Sequence, residues 1–291
     1  MKKILAGLAL ATAATAIAAT PAQAATKDPV AAVKQQFVPG KGVTFVDRGM
    51  VVQGERRGIL VRRNGSYGFG KSGVNASDIT SKYNLPADLF GDDEEAKALA
   101  TPEHVVTVGR KSYVSGSFWG LMVPEDKSWL KLPVSLPGGA FAPFGQVLNV
   151  TEPTTLKTLL KGAKATGGGY SGSISFADLR KVSPYARSAF ELQKQNAKQL
   201  KSVITWKLAV DAKGLPTRLV SSYPATALFT GGGFGKTQFS VDTRFTGWGG
   251  KVVIQAPPAD QVATKPKDAN GDDSKAPEAP QILGDVGKIF G

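Results

Sequence analysis

The sequence predicts an α+β fold built on one large, curved antiparallel sheet of about eleven strands, a half-open β-barrel. Helices inserted at the start and in the middle of the chain are expected to cover its concave face. The first observation behind this prediction is a two-residue alternation of apolar and polar side chains, clearest over 203–257. The second is that helical periodicities fall between groups of strands, whereas a parallel α/β sheet would alternate a helix with each strand.

The stretch 203–257 is predicted to be a four-stranded antiparallel meander with one buried face. Asp211–Gly214 supplies the tight turn after the first strand, because glycine accepts positive φ. The residues expected on the buried face are Ile204, Trp206, Leu208, Val210, Leu215, Leu219, Tyr223, Phe239, Val241, Phe245, Val252, Ile254 and Ala256.

Similar alternation predicts strands earlier in the chain, at 43–52, 57–63, 66–70, 104–115, 117–123, 127–134 and 170–176. Asn64-Gly65 predicts a hairpin turn inside this set. Residues 74–102 are polar and are interpreted as a surface connection with a short helix near 93–100. Residues 133–145 are expected to be irregular because they are rich in proline and glycine.

Helix signals begin at three places. Asp28-Pro29, Glu152-Pro153 and Ser183-Pro184 each combine a capping position with proline in the first turn. The leucines that follow Pro153 recur on one helical face, and Gly162 is expected to end that helix.

The domain organisation is set by changes in composition. Residues 1–24 are typical of a secretory signal peptide cleaved after Ala24, since Lys2-Lys3 precede an Ala-rich apolar run and a small-x-small motif. The expected location is extracellular, either free or associated with the cell wall. Residues 25–258 form one predicted domain, 259–280 a disordered linker, and 281–291 a short amphipathic segment. With no cysteine, the domain must be held by its core.

The charge is strongly positive. The whole chain carries 36 basic and 23 acidic residues, a net charge of +13. Such a surface favours contact with anionic lipid head groups or a wall polymer, although solubility alone is an alternative explanation. Nucleic acid is not an expected partner, because the basic residues are dispersed and no recognition motif is present.

The sequence favours a protein that is not an enzyme and has no cofactor or metal. One histidine and no cysteine leave little for a zinc site or a thiol nucleophile. Gly65–Ser72 matches the P-loop pattern, but the residues after it are poor helix formers, and the motif requires a helix there. His104 is interpreted as a structural residue near a strand start; a hydrolase working through His104 is the alternative.

Aromatic residues are numerous for a single sheet. They are expected to line a shared apolar cavity between the concave face and the helices, with ordinary core packing as the alternative. The ligand-binding candidates are Trp206, Phe118, Trp119, Phe141, Phe144 and Phe245.

Three stretches resemble a known family: the Asp28-Pro29 helix followed by Gly42–Phe45, the Trp206–Leu219 hairpin, and Thr243–Pro258. They are similar to the LolA-like superfamily, nearest to the LppX/LprG-type exported lipid-binding proteins, over about 26–260. The resemblance implies a half-open barrel with a helical plug, an apolar pocket for acyl chains, and lipid or lipoprotein transport without catalysis. The chain departs from that pattern in lacking the lipobox cysteine.

The expected function is therefore that of a secreted, non-catalytic protein binding a lipid or other apolar ligand between sheet and helices. The alternative is a cell-envelope sensing or scaffolding module that binds a protein partner, for which the C-terminal segment 282–290 is the candidate contact.

Overall fold

The computed structural model describes residues 28–267, apart from 85–97, 99, 140–141, 192, 194 and 230–233. The predicted signal peptide, the candidate residue Phe141 and the C-terminal segment 281–291 lie outside the described residues, as does most of the helix predicted near 93–100.

Twelve strands of the described chain form one open sheet. In chain order they are β1 Lys41–Gln53, β2 Arg56–Gly70, β3 Gly73–Tyr83, β4 Glu103–Val108, β5 Lys111–Ser115, β6 Trp129–Lys131, β7 Lys164–Thr166, β8 Gly169–Ser175, β9 Val203–Val210, β10 Pro216–Pro224, β11 Gln238–Lys251 and β12 Val262–Ala263. Their order across the sheet is β12-β6-β5-β4-β3-β2-β1-β11-β10-β9-β8-β7. Every pairing is antiparallel except that of β12 with β6. The predicted α+β class with a large, mostly antiparallel, open sheet is confirmed.

Six short α-helices lie within the described residues. They are α1 Pro29–Lys34, α2 Ser117–Gly120, α3 Pro153–Leu160, α4 Phe176–Val182, α5 Pro184–Ala189 and α6 Ala197–Leu200. Three 3₁₀ turns cover Ala142–Phe144, Ala225–Ala227 and Ala259–Gln261. The starts predicted at Asp28, Glu152 and Ser183 are confirmed, and the Asp28 and Ser183 side chains accept hydrogen bonds from the first turns of α1 and α5. No helix in the described part is long and apolar enough to cross a membrane.

The hairpin predicted at Asn64-Gly65 is wrong. Both residues lie inside β2, paired with β1 on one side and β3 on the other. The turn falls instead at Gly54-Glu55, where Gly54 has a φ of +60°. Position 65 requires glycine because a larger residue would clash: a Cβ there would lie 2.6 Å from the Asp78 carbonyl oxygen and 3.0 Å from the Phe45 ring.

The surface connection predicted at 74–102 and the strand predicted at 117–123 are also wrong in part. The polar stretch predicted as a surface connection contains β3, whose inner side alternates Ser77, Ile79, Ser81 and Tyr83. The stretch was predicted to be exposed because it is polar, but two of these four buried positions are serines. The strand predicted at 117–123 contains the helical turn α2.

The predicted fourth strand of the C-terminal meander is replaced by a longer β11 and an extended arm. This C-terminal arm, residues 252–263, crosses the outer face of the sheet: Val252 lies against Gly42, and Ile254 against Gly68. It then joins β6 through β12. The predicted linker therefore begins too early, because 259–263 carry a 3₁₀ turn and a strand.

The inner face of the sheet is packed. Phe176 of α4 and Tyr223 of β10 meet edge to face with ring centroids 5.3 Å apart. The irregular segment 142–151 also lies on this face and is buried throughout. Gln146 anchors it, donating from Nε2 to the Thr243 hydroxyl at 3.1 Å and accepting from the Ser221 hydroxyl at 2.9 Å. The cover of the sheet is thus an irregular segment together with the helices.

Candidate functional site: a cleft between the sheet and two helices

A cleft of about 380 Å³ opens at one end of the inner face. One wall comes from β2, β3, the turn between them and the β4–β5 turn; the other comes from the start of α3, the start of α5 and the segment before them. Its lining residues are Tyr67, Ser72, Gly73, Val74, Asn75, Ala76, Ser77, Thr107, Gly109, Ser135, Pro137, Asn149, Thr151, Glu152, Pro153, Thr154, Pro184, Tyr185 and Ser188. Rings and aliphatic groups share this lining with hydroxyl and amide groups.

The sheet wall contains an unpaired hydroxyl. The Ser77 side chain is buried, and its Oγ has no hydrogen-bond partner. Its neighbour Thr107, by contrast, shares a 2.9 Å hydrogen bond with Ser112. A buried hydroxyl left without a partner costs free energy, so Ser77 Oγ can hydrogen-bond to a polar group that enters the cleft.

The helical wall is organised by Glu152, which precedes α3. One carboxylate oxygen accepts hydrogen bonds from the hydroxyls of Ser183 at 2.6 Å and Thr155 at 2.8 Å. The other accepts from the backbone N–H of Tyr185 at 2.7 Å. Glu152 therefore ties the start of α5 to the start of α3. Burial raises the pKa of its carboxyl, and the three hydrogen bonds oppose that rise.

A charged pair lies deeper on the same face. Arg63 Nη1 is 3.9 Å from Asp47 Oδ2, and both side chains are at most 2% exposed. Burial raises the pKa of Asp47, and the Arg63 charge offsets only part of the rise. The Tyr185 hydroxyl lies near enough to raise the pKa of Arg63, although it has no hydrogen-bond partner among the described groups.

The structure does not bring the predicted aromatic candidates together at the cleft. Trp206, Trp119, Phe144 and Phe245 are buried in the packed core, and Phe118 is half-buried beside Trp119. None of these five lines the cleft. Three of them have specific partners in the core. Trp119 Nε1 donates a hydrogen bond to Glu103 at 2.7 Å. Phe144 packs on Phe229 and Phe239, and Phe245 packs on Trp248. That any of them contacts a ligand stays a prediction.

Sequence reasoning missed the residues that do line the cleft. Many of them come from β3, which lies in the stretch predicted to be a surface connection, and from two helix starts far apart in the chain. The helix starts were recognisable, but their proximity was not, because it depends on the Glu152 hydrogen bonds across 31 to 33 residues.

Neither the P-loop-like motif nor His104 is arranged as a catalytic site in the described part of the chain. The P-loop-like residues end in the Lys71-Ser72 turn between two strands, with no helix after it. His104 Nε2 lies 2.7 Å from Asp78 Oδ1, and its ring packs on Trp129 with centroids 4.8 Å apart. No serine hydroxyl hydrogen-bonds to that ring among the described contacts, and no described cluster of three His, Asp or Glu side chains could hold a metal ion.

Among known proteins, only solved structures match this chain. No protein-family model matches the sequence, and no curated protein does either. The solved structures similar to this chain include LprF from Mycobacterium bovis, with 13% identity and a TM-score of 0.37 over 80% of this chain and 94% of that one. Lipoprotein LppX from Mycobacterium tuberculosis is 13% identical, with a TM-score of 0.32 over 78% and 98%. A LolA superfamily protein from Nitrosomonas europaea is 7% identical, with a TM-score of 0.29 over 79% and 93%.

These structures carry the names of the group that the sequence motifs resemble. All three TM-scores lie below 0.5, so the assignment of the site and the proposals that follow rest on the geometry of this chain.

Proposed function

We propose that this protein is a non-catalytic binding protein that holds an apolar or acyl-chain ligand in the cleft between the sheet and helices α3 and α5. The observation that carries the proposal is the cleft itself, an open space of about 380 Å³ beside a well-packed hydrophobic core. Small-molecule sites are typically about 300–1,000 Å³.

The lining favours a ligand with an apolar body and one polar end. Tyr67 and Val74 offer apolar contact on the sheet side, and Pro137, Pro153, Pro184 and the Tyr185 ring offer it on the opposite wall. Burial of apolar surface contributes about 25 cal/mol per Å². The unpaired Ser77 hydroxyl and the Asn75 and Thr154 side chains at the rim would then hydrogen-bond to the polar end.

The volume sets the size of the ligand. The cleft lies at the small end of the range for ligand sites, so it admits one chain or one compact molecule. In this proposal the aromatic candidates Trp206, Phe118, Trp119, Phe144 and Phe245 support the cleft as packed core and do not contact the ligand. The proposed location remains extracellular, since the signal-peptide features of 1–24 are a property of the sequence.

The test uses solvent-extracted protein and isothermal titration with a long-chain fatty acid below its micelle concentration. Ser188→Trp places a large ring in the cleft from α5, and Asn75→Trp does so from β3. Ser173→Trp is the matched control, because Ser173 is an exposed residue of β8 that does not line the cleft.

We expect the wild type and Ser173→Trp to bind the fatty acid alike, and both cleft variants to bind it at least about tenfold more weakly. Circular dichroism and urea unfolding establish that each variant is folded. If the wild type takes up no fatty acid, or if both cleft variants bind as well as the wild type, the proposal is overturned.

The alternative, a scaffolding module that uses 282–290, involves residues outside the described part. Because β12 belongs to the sheet, the truncation that tests it should remove 268–291 and leave 259–267 in place. Loss of a partner with retained fatty-acid binding would favour that alternative.

A further inference from the structure

The outer face of the sheet is divided into two regions. The C-terminal arm covers one half, where Val252 lies against Gly42 of β1 and Ile254 against Gly68 of β2 before the arm reaches β6. Farther along the strands the described structure leaves outward-facing side chains of β3, β2, β1, β11, β10 and β9 exposed, and Val46, at the centre of β1, is 54% exposed.

Basic side chains are aligned in register across this uncovered region. Lys82 pairs with Arg62, Arg62 with Arg48, and Arg48 with Asp242. The same row continues through Val220 to Lys207. In the adjacent row, Val46 pairs with Arg244, and Arg244 with Arg218. We name as the basic belt the six exposed cations Lys82, Arg62, Arg48, Arg244, Arg218 and Lys207.

The basic belt is poorly neutralised. Asp242 is the acidic residue of these two rows within the described chain, and it is held by Arg218 through two hydrogen bonds of 2.7 and 2.8 Å. Arg48 and Arg62 lie directly opposite each other on neighbouring strands, an arrangement that destabilises a sheet. Folding alone gives no reason for this concentration of charge, whereas an anionic partner would stabilise it.

We propose that the basic belt docks the protein onto an anionic lipid surface. The belt runs over six adjacent strands, which at about 4.8 Å per strand is a width of roughly 24 Å. An anionic bilayer offers this band both negative charge and an apolar boundary, whereas a soluble polyanion offers the charge alone. Val46 lies among the cations and would contact the interfacial region of the bilayer.

The proposal does not depend on the ligand of the cleft. Each basic residue close to an anionic bilayer strengthens binding about fivefold. Neutralising three of them should therefore weaken binding roughly a hundredfold, and removing the one acid should strengthen it about fivefold.

The experiment measures sedimentation of the full chain with vesicles of phosphatidylcholine, alone or mixed with phosphatidylglycerol, at low and physiological salt. The test variant is Arg48→Gln/Arg62→Gln/Arg244→Gln. Its control, Lys157→Gln/Lys161→Gln/Lys198→Gln, removes the same charge from exposed positions on α3, the turn after it and α6. Asp242→Asn is the variant expected to bind more tightly.

We expect binding to the mixed vesicles only, weakened by salt, lost in the belt variant and retained in the control. Equal loss in both triple variants would overturn the proposal, because net charge alone would then explain binding. Failure of the wild type to bind mixed vesicles would overturn it as well, and so would binding to soluble polyphosphate as tight as to vesicles.

Discussion

Arg63 and Asp47 face each other directly across β1 and β2, with Nη1 and Oδ2 3.9 Å apart and both side chains sealed from solvent. The pair is incompletely satisfied: Asp47 Oδ1 and Arg63 Nε have no hydrogen-bond partner among the described groups. The Gln146 N–H reaches Asp47 Oδ2 at 3.4 Å. Two charges are therefore buried with few hydrogen bonds, an arrangement in which each depends on the other.

We predict that removing one charge of this pair is worse than removing both. Asp47→Asn leaves the guanidinium buried without a counter-charge and should lower the free energy of unfolding by about 3–5 kcal/mol. The double variant Asp47→Leu/Arg63→Met replaces the pair by apolar groups and should lose less than the single variant. Urea unfolding of the two proteins makes the comparison, and a double variant less stable than Asp47→Asn would contradict this account.

Gly145 leads to a second prediction, because the guanidinium lies directly against it. A Cβ at residue 145 would lie 1.6 Å from Arg63 Nη1, a distance that forces the buried charge to move. Gly145→Ala should therefore cost about 2–4 kcal/mol in urea unfolding, the range of severe buried changes. The matched control is Gly162→Ala, after α3, where a Cβ meets nothing within 4 Å; its effect should stay within about 0.5 kcal/mol. Equal effects of the two substitutions would show that crowding at Arg63 is not the cause.

The sequence predicted the parts of the fold that depend on local patterns. Alternation predicted β9 and β10 with their buried faces, and Asp211 makes the predicted turn by accepting hydrogen bonds from the N–H groups of Lys213 and Leu215. Proline in the first turn found the starts of α1, α3 and α5. Each of these signals lies within a few residues of the element that it specifies.

The parts that failed depend on contacts between distant residues. Asn64-Gly65 has the composition of a turn, but both residues lie in a strand. Glycine suits position 65 because the Phe45 ring occupies the space that a side chain would fill. Segment 142–151 is irregular, as the composition of 133–145 predicted, but its burial was not predicted; it depends on Gln146, which bonds to Ser221 and Thr243 on β10 and β11. The cleft belongs to this class, since its two walls meet through Glu152, and nothing in the local sequence specifies that meeting.

The ion pair between Arg218 and Asp242 leads to a prediction about pH. The Arg218 hydrogen bonds hold the pKa of Asp242 below its usual value, with a smaller opposing effect of burial. A lowered pKa in the folded state stabilises the protein above the unfolded pKa of about 3.9, and the contribution is lost as pH falls further. Because the Arg218 side chain is 49% exposed, we expect no more than about 1 kcal/mol.

The difference in unfolding free energy between the wild type and Asp242→Asn should accordingly be constant from neutral pH to about pH 5 and shrink below pH 4. Arg218→Gln should lose the same pH-dependent increment, and the double variant should add little to either. A difference that persists unchanged at pH 3 would show that the carboxylate charge is not its source.

The last prediction concerns the C-terminal arm. It separates the loss of an apolar contact from the effect of introducing a carboxylate. Ile254 is half-buried against Gly68, whereas its neighbour Val253 is 65% exposed. Ile254→Asp places a carboxylate against the covered half of the outer face and should cost about 1–3 kcal/mol in urea unfolding. Val253→Asp introduces the same group one residue away and should stay within about 0.5 kcal/mol.

Limited proteolysis gives the complementary measurement. If the arm is held by Ile254 as well as by the β12–β6 pairing, Ile254→Asp should speed cleavage within 252–263, and Val253→Asp should not. Identical behaviour of the two variants would mean that the strand pairing alone holds the arm. The covered half of the outer face would then be protected by backbone hydrogen bonds at one end, and the apolar contact at Gly68 would be incidental.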